Sequence, residues 1–356
     1  MNVVGNLVQT LRRRTLRTAS DLVEAGLIGT KDATEAEAAA RNLPISITPH
    51  LAALIDRTDA DDPIARQFVP TGAETVMADE ELADPIGDGA HSPVRGIVHR
   101  YPDRVLLTPV LACPAYCRFC FRREAVGDGA LGSDELAAAL DYIRENEEIW
   151  EVILSGGDPL ILSPRRLTAI VDALDAMPHV GVIRIHTRVP VADPDRITPA
   201  LVAAMKRDTP VYVTLHCNHP RELSPAARAA VARLVDAGLP MLSQTVLLKG
   251  VNDDAATLET LMRALVRCRV KPYYLHHGDL ARGTRHFRTT LAAGRALMGA
   301  LRGRLSGIAQ PTYVLDIPGG YGKAPVGPCY LREANGGEWQ VEDWQGRRHA
   351  YRDAAG

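Results

Sequence analysis

The chain has 356 residues, 46% of them hydrophobic, which is enough for one sizeable catalytic domain with an appendage and excludes a disordered protein. Lys and Arg total 41 against 43 Asp and Glu, a net charge of −2, so no global field favours nucleic acid or an anionic membrane and partners are expected to be small molecules. Arginines at 12, 13, 14 and 17 adjoin no signal-peptide run, no stretch of about eighteen apolar residues occurs, and six cysteines with three clustered suit a reducing compartment, so a cytoplasmic protein without a membrane partner is expected.

Residues 1–92 read as a helical N-terminal region: Asp21-Leu-Val-Glu-Ala-Gly-Leu, the Ala-rich run from Asp32, and a helix start at Thr48-Pro49. The arginines at 12 to 14 read as a solvated helix face. From residue 93 the pattern changes to short β-branched runs separated by amphipathic stretches. Strands are expected at Arg104–Pro109, Glu151–Leu154, Gly181–His186, Val211–Leu215, Met241–Leu247 and Lys271–His276. Helices are expected at Ser133–Asn146, Pro164–Ala176, Pro199–Lys206, Pro225–Ala237 and Ala255–Val266. Six strand-then-helix units imply an α/β fold whose parallel sheet curls into a partial (β/α)6 TIM-like barrel over 93–330, with chemistry at the carboxyl ends of the strands. Residues 331–356 read as a short polar C-terminal tail with two tryptophans and no legible chemistry.

Cys113-Pro-Ala-Tyr-Cys117-Arg-Phe-Cys120 is the most informative motif. Three thiolates this close can hold three irons of a cubane cluster and leave the fourth open to a small molecule. Zinc is the alternative, but zinc motifs usually pair two such units, and Cys217, Cys268 and Cys329 are isolated. The spacing, with Phe119 before the last cysteine, resembles the radical S-adenosylmethionine (SAM) signature. One strand later, Ser155-Gly156-Gly157-Asp158-Pro159 lets backbone approach a ligand closely and resembles the segment that contacts the SAM amino group in such enzymes. Lys323, embedded in Asp316-Ile-Pro-Gly-Gly-Tyr-Gly-Lys, suits an amine that must reach a carbonyl cofactor unobstructed.

Four further runs match in order and spacing: His99-Arg100-Tyr101-Pro-Asp-Arg104, Phe121-Arg122-Arg123, Leu242-Ser-Gln244-Thr-Val-Leu-Leu, and Pro272-Tyr-Tyr through Asp279 to His286-Phe-Arg-Thr289. On these residues the chain resembles the lysine 2,3-aminomutase family from about residue 45 to 330. The resemblance implies a 2,3-aminomutase, an isomerase that moves the α-amino group of L-lysine to C3 to give β-lysine, with a [4Fe-4S] cluster, SAM and pyridoxal 5′-phosphate. It assigns Cys113, Cys117 and Cys120 to the cluster and Lys323 to pyridoxal phosphate, with Arg104 and Gln244 on the cofactor's phosphate and Tyr101 beside its ring. Gly156, Gly157, Asp158, His216 and the Thr187-Arg188 pair fall where the family contacts SAM. Arg122 matches the arginine for the substrate carboxylate, and Asp279 and Asp316 match the acids that hold the ε-ammonium. Two carboxylates converging on one site repel unless a cation lies between them, which favours lysine or arginine over glutamate.

Longer family members carry a Cys-rich extension that binds zinc with a neighbouring subunit's cysteine. Here Cys329 stands alone in that region and Asp254 stands where the partner cysteine falls, so zinc is not expected and a homo-oligomer is left open. Phe119 and Phe121 resemble the branch that isomerises lysine for elongation factor P, while the glycine loop keeps the aminomutase form. β-Lysine supply for that factor is therefore the alternative destination, and an iron–sulfur protein without turnover the non-enzymatic one. A flavodoxin- or ferredoxin-type reductant is the remaining expected partner.

Overall fold

The computed structural model describes residues 14–127, 129–334 and 337–354, so the arginines at 12 and 13 lie outside the described residues. A nine-stranded sheet runs in sequence order through β1 (Ile97–Tyr101), β2 (Arg104–Val110), β3 (Glu151–Gly156), β4 (Val182–Thr187), β5 (Val211–His216), β6 (Met241–Val246), β7 (Val270–His276), β8 (Thr312–Asp316) and β9 (Lys323–Pro325). From β2 to β8 every neighbouring pair is parallel, whereas β1–β2 and β8–β9 are antiparallel. The sheet is a curled partial barrel, and all six expected strands are in it. The parallel strand β8 is additional, and it carries Asp316 at its carboxyl end.

Helices cover the outer face, as a parallel sheet requires. Five helices start with a capping side chain followed by proline: Thr48-Pro49, Asp62-Pro63, Ser163-Pro164, Thr198-Pro199 and Ser224-Pro225. In each, the cap oxygen accepts a backbone N–H that the helix leaves unpaired, worth about 1 kcal/mol, and proline occupies the position where no N–H is needed. The helix expected over 199–206 stops at Ala203, where the Ala204 N–H is shared between Ala200 and Val202 carbonyls. Asp254 caps the helix Ala255–Arg267, accepting from Thr257 N at 2.9 Å, a structural role that accounts for its carboxylate.

Short helices at Ala19–Glu24, Ala33–Asn42, Pro49–Leu54 and Pro63–Phe68 form the N-terminal region. Their core includes Leu22, Ile47, Leu51, Ile64 and Phe68, and it extends to Ala115 of the cysteine loop and Ala192 after β4. The C-terminal stretch is not featureless: β10 (Leu331–Glu333), β11 (Glu338–Glu342) and β12 (Arg348–Arg352) make a separate antiparallel meander. Its alternation was illegible because both faces are largely exposed, so no apolar stripe marks it.

Candidate active site

The strands end at one rim, and the chemistry-bearing residues follow them in order. The cysteine loop leaves β2, Gly156–Asp158 close β3, Thr187–Arg188 close β4, His216 ends β5, His276 ends β7 with Asp279 just beyond, and Asp316 ends β8. Lys323 opens the returning strand β9. All sixteen residues that the resemblance assigns a role line one cavity of about 590 Å³. Arg104 opens β2 whereas Cys113 follows its end, so at about 3.3 Å per residue the cavity runs roughly 20 Å along the strands. That depth allows two organic ligands in line.

The cysteine loop is held from outside the barrel. Tyr116 N donates to Ser46 O at 3.0 Å, Ser46 Oγ to Pro114 O at 2.9 Å and Arg118 N to Gln67 O at 2.8 Å. Arg118 is 1% exposed; its Nε and Nη2 donate to the Glu74 carboxylate at 2.8 and 2.7 Å, and Arg123 Nη2 adds a third bond at 2.9 Å. Neither Glu74 nor this network is legible in the sequence, because Glu74 lies 44 residues before Arg118 in a stretch without a motif. Among the described residues no three His, Cys, Asp or Glu side chains converge as on a single metal ion. Burial and neighbouring anions raise all three thiols, Cys120 to about 11, so only a bound cation makes the three thiolates favourable together. Arg188 Nη1 lies 3.0 Å from Cys117 Sγ while Nη2 pairs with Glu222 and Gln67.

Gly156 and Gly157 touch the backbone that enters the cysteine loop. A Cβ on Gly157 would lie 2.2 Å from Ala112 O, and Gly157 N and Asp158 N donate to Val110 and Ala112 carbonyls at 2.8 and 2.9 Å. The glycine pair is therefore explained by this close approach, which fixes the rim where a ligand would sit. The Asp158 carboxylate is buried and spent on Thr187 Oγ1 and the Leu160, Arg188 and Val189 amides, so it joins β3 to β4 instead of facing the cavity with a free oxygen.

At the other side of the cavity Lys323 Nζ donates to Asp316 Oδ1 at 2.7 Å, and the backbone N of Lys323 donates to Tyr101 Oη at 2.7 Å. The second contact links the two outermost strands, β1 and β9. Gly319, Gly320 and Gly322 take φ near +90°, a path closed to side-chain-bearing residues, and this brings Lys323 back beneath Asp316. The Arg104 guanidinium lies 3.9 Å from the Tyr101 ring centroid, and Gln244 also lines the cavity.

Arg122 Nε donates to Asp88 Oδ2 at 2.7 Å, and Arg100 holds the other oxygen at 3.0 Å. Asp88, on a loop 34 residues away, gave no signal in the sequence. The same loop packs against the lysine loop: a Cβ on Gly87 would lie 2.6 Å from Gly319 C, and one on Gly320 would lie 2.6 Å from His91 Nε2. The two remaining acids differ sharply. Burial raises Asp316, but the His276 hydrogen bond and the Lys323 charge outweigh it and hold the group at about 2. Burial and the Asp316 charge push Asp279 up to about 7. One acid is ionised throughout the neutral range, and the other is poised to ionise when a second cation arrives.

Three buried imidazoles complete the wall. His186, His216 and His276 all sit below the usual histidine range through burial, and each has an Nε2 with no protein partner among the described residues. Such orphaned atoms are what a ligand-binding cavity leaves for its ligands. The donor set therefore fits the implied groups: three thiols, a glycine-borne lysine with arginine and glutamine, and unpartnered polar atoms, all lining one cavity.

A family model described as Radical SAM superfamily matches residues 107–261, and one described as Lysine-2,3-aminomutase matches residues 298–353. The chain is 44% identical over 291 residues to the L-lysine 2,3-aminomutase of Fusobacterium nucleatum, across 81% of this chain and 68% of that protein. It is 43% identical over 293 residues to the L-lysine 2,3-aminomutase of Clostridium subterminale, across 82% and 70%. It is also 38% identical over 304 residues to the glutamate 2,3-aminomutase of Clostridioides difficile, across 85% and 72%.

Proposed function

This chain belongs to the lysine 2,3-aminomutase family of radical SAM isomerases, and we propose that it moves the α-amino group of L-lysine to C3, giving β-lysine. Family membership implies a [4Fe-4S] cluster, SAM and pyridoxal phosphate. When bound, these supply one-electron hydrogen abstraction and a carbonyl that carries the migrating nitrogen. Cys113, Cys117 and Cys120 would hold the cluster. The Gly156–Asp158 rim, His216 and Arg188 would surround SAM, and Lys323, Arg104, Gln244 and Tyr101 would hold pyridoxal phosphate.

The observation that carries the substrate is the acid pair. Asp316 already holds a primary ammonium, that of Lys323, at 2.7 Å, and Asp279 lines the same cavity. The ε-ammonium of a bound lysine finds one carboxylate charged and a second that ionises in response to it. In the same cavity Arg122 offers a guanidinium for the α-carboxylate, shared with Asp88. A glutamate side chain would put a third carboxylate beside Asp279 and Asp316, which opposes the activity named for the C. difficile relative. No described helix is long and apolar enough to cross a membrane. A cytoplasmic setting with a small electron-transfer protein as reductant agrees with the cysteine usage, and a homo-oligomer is compatible with the chain.

Anaerobic incubation with SAM, pyridoxal phosphate and dithionite over lysine, arginine, ornithine and glutamate, with β-amino products identified by mass spectrometry, tests the reading. β-Lysine as the main product is expected. Turnover of glutamate in preference to lysine would overturn it. In parallel, Lys323→Ala should lose the absorbance of lysine-bound pyridoxal phosphate.

A further inference from the structure

His276 stands at the end of β7 with its Nδ1 3.4 Å from Asp316 Oδ2, on the side of the carboxylate opposite Lys323. An ionised carboxylate only accepts, so the nitrogen that faces it carries the proton. The contact is long for a hydrogen bond, as expected where the other oxygen is drawn to 2.7 Å from an ammonium. The imidazole plane is fixed by an edge-on contact with Tyr274, ring centroids 5.6 Å apart at 75°. Its Nε2 is buried in the cavity wall without a partner.

The surroundings decide the charge on this ring. Lys323 lies on the far oxygen of Asp316, and His186 and His216 on β4 and β5 are close enough to feel a charge on His276. Burial comes first among the causes that keep His276 below the usual histidine range, and the Lys323 cation adds to it. Asp316 is the one carboxylate that bears directly on the ring, and its hydrogen bond does not overcome the burial. The contact makes Nδ1 the donor, and burial favours the uncharged form of the ring.

We propose that His276 is a positioning residue for the cationic end of the substrate, a donor at Nδ1 that aims Asp316 at an ammonium. This rests on the reading of Asp316 as an acid for the ε-ammonium. A lysine or arginine at position 276 would orient the carboxylate equally well but would neutralise it and compete with the substrate. A side chain with no donor would leave Oδ2 buried and unpaired, with Lys323 engaged only on Oδ1. Neutral imidazole avoids both, and its free Nε2 lone pair presents a further acceptor in the same wall.

The test has two arms. In ligand-free protein carrying 15N-histidine, the His276 signal, assigned by its loss in His276→Asn, should report the Nδ1–H tautomer at neutral pH and move toward the Nε2–H form in Asp316→Ala. In reconstituted enzyme, His276→Phe should raise KM for lysine about tenfold or more with a smaller change in kcat, since a donor to a charged group is lost. His276→Asn, whose amide nitrogen replaces Nδ1, should restore KM to within about threefold. An Nε2–H tautomer, or one indifferent to Asp316, overturns the proposal. So does a His276→Asn variant as impaired as His276→Phe, or an unchanged KM in His276→Phe when Asp316→Ala raises it. If Asp316→Ala itself leaves KM unchanged, the reading of the acid pair falls and takes the proposal with it.

Discussion

Lowering the pH from 8 to 6 should weaken lysine binding about tenfold through Asp279 alone. In the ligand-free cavity that acid sits at about 7, because burial and the neighbouring Asp316 charge disfavour its ionised form. Only the ionised form attracts the ε-ammonium, so the apparent dissociation constant is multiplied by one plus the ratio of protonated to ionised Asp279. That factor is about 1.1 at pH 8, about 2 at pH 7 and about 11 at pH 6. Asp316, held at about 2, contributes no slope in this range. The assay is the KM or spectroscopic dissociation constant for lysine from pH 5.5 to 8.5 under anaerobic conditions. Asp279→Asn should flatten the profile and bind lysine at pH 8 at least as weakly as the unmutated chain does at pH 6. Stability of the ligand-free chain should change in the complementary direction. Below the unfolded value of about 3.9 the group is protonated in both states and costs nothing; between there and 7 only the unfolded chain ionises, so stability falls; above 7 the loss is constant. At about 1.4 kcal/mol per unit, Asp279→Asn should therefore stabilise the chain by up to about 4 kcal/mol at pH 8 and hardly at pH 4. A flat lysine profile in the unmutated chain, or an undiminished slope in Asp279→Asn, would refute the reasoning.

Glu74→Gln should cost about 3–5 kcal/mol in urea unfolding, because it leaves the buried guanidiniums of Arg118 and Arg123 without their counter-charge. The iron content of the reconstituted protein should fall with it, since Arg118 lies between two of the cluster cysteines in sequence. Gly157→Ala places a Cβ 2.2 Å from Ala112 O, and the displaced loop should reduce both iron and SAM uptake, read by iron analysis and equilibrium dialysis. Tyr101→Phe removes the acceptor for the Lys323 backbone N–H; at about 1 kcal/mol for one hydrogen bond, pyridoxal phosphate retention should weaken about fivefold in a fluorescence titration.

What was legible in the sequence was whatever repeats or is locally spaced. The six parallel strands from Arg104 to His276 are legible because each is a short β-branched run and the first five are followed by amphipathic helices, and the cysteine loop because its three cysteines lie within eight residues. β8 escaped because it is five residues long and runs straight into the glycine loop, with no helix between it and β9 to mark a repeating unit. The supporting charges escaped for another reason. Asp88 reaches Arg122 across 34 residues and Glu74 reaches Arg118 across 44, from loops with no periodicity, and only the tertiary fold gives such acids a partner. His276 sat inside a recognised run yet carried no role, since its significance lies in facing the end of the adjacent strand, where Asp316 is.

The order of the strands accounts for the order of the chemistry. Sequential parallel strands deliver the cysteine loop, the glycine rim, the histidines and the acids to one edge without crossing, so the thiols, the acids and Lys323 line the same cavity. The open sheet would leave Lys323 on a free edge strand, and two features restrain it there. Tyr101 ties its backbone to β1, and the loop bearing Asp88 packs on Gly319 and Gly320 while the carboxylate engages Arg122. A carboxylate arriving at Arg122 must share that guanidinium with Asp88, and Asp88 is on the same short loop as Gly87, against which the lysine loop rests. Anchoring one end of an amino acid thus bears mechanically on the segment that holds the amine at the other.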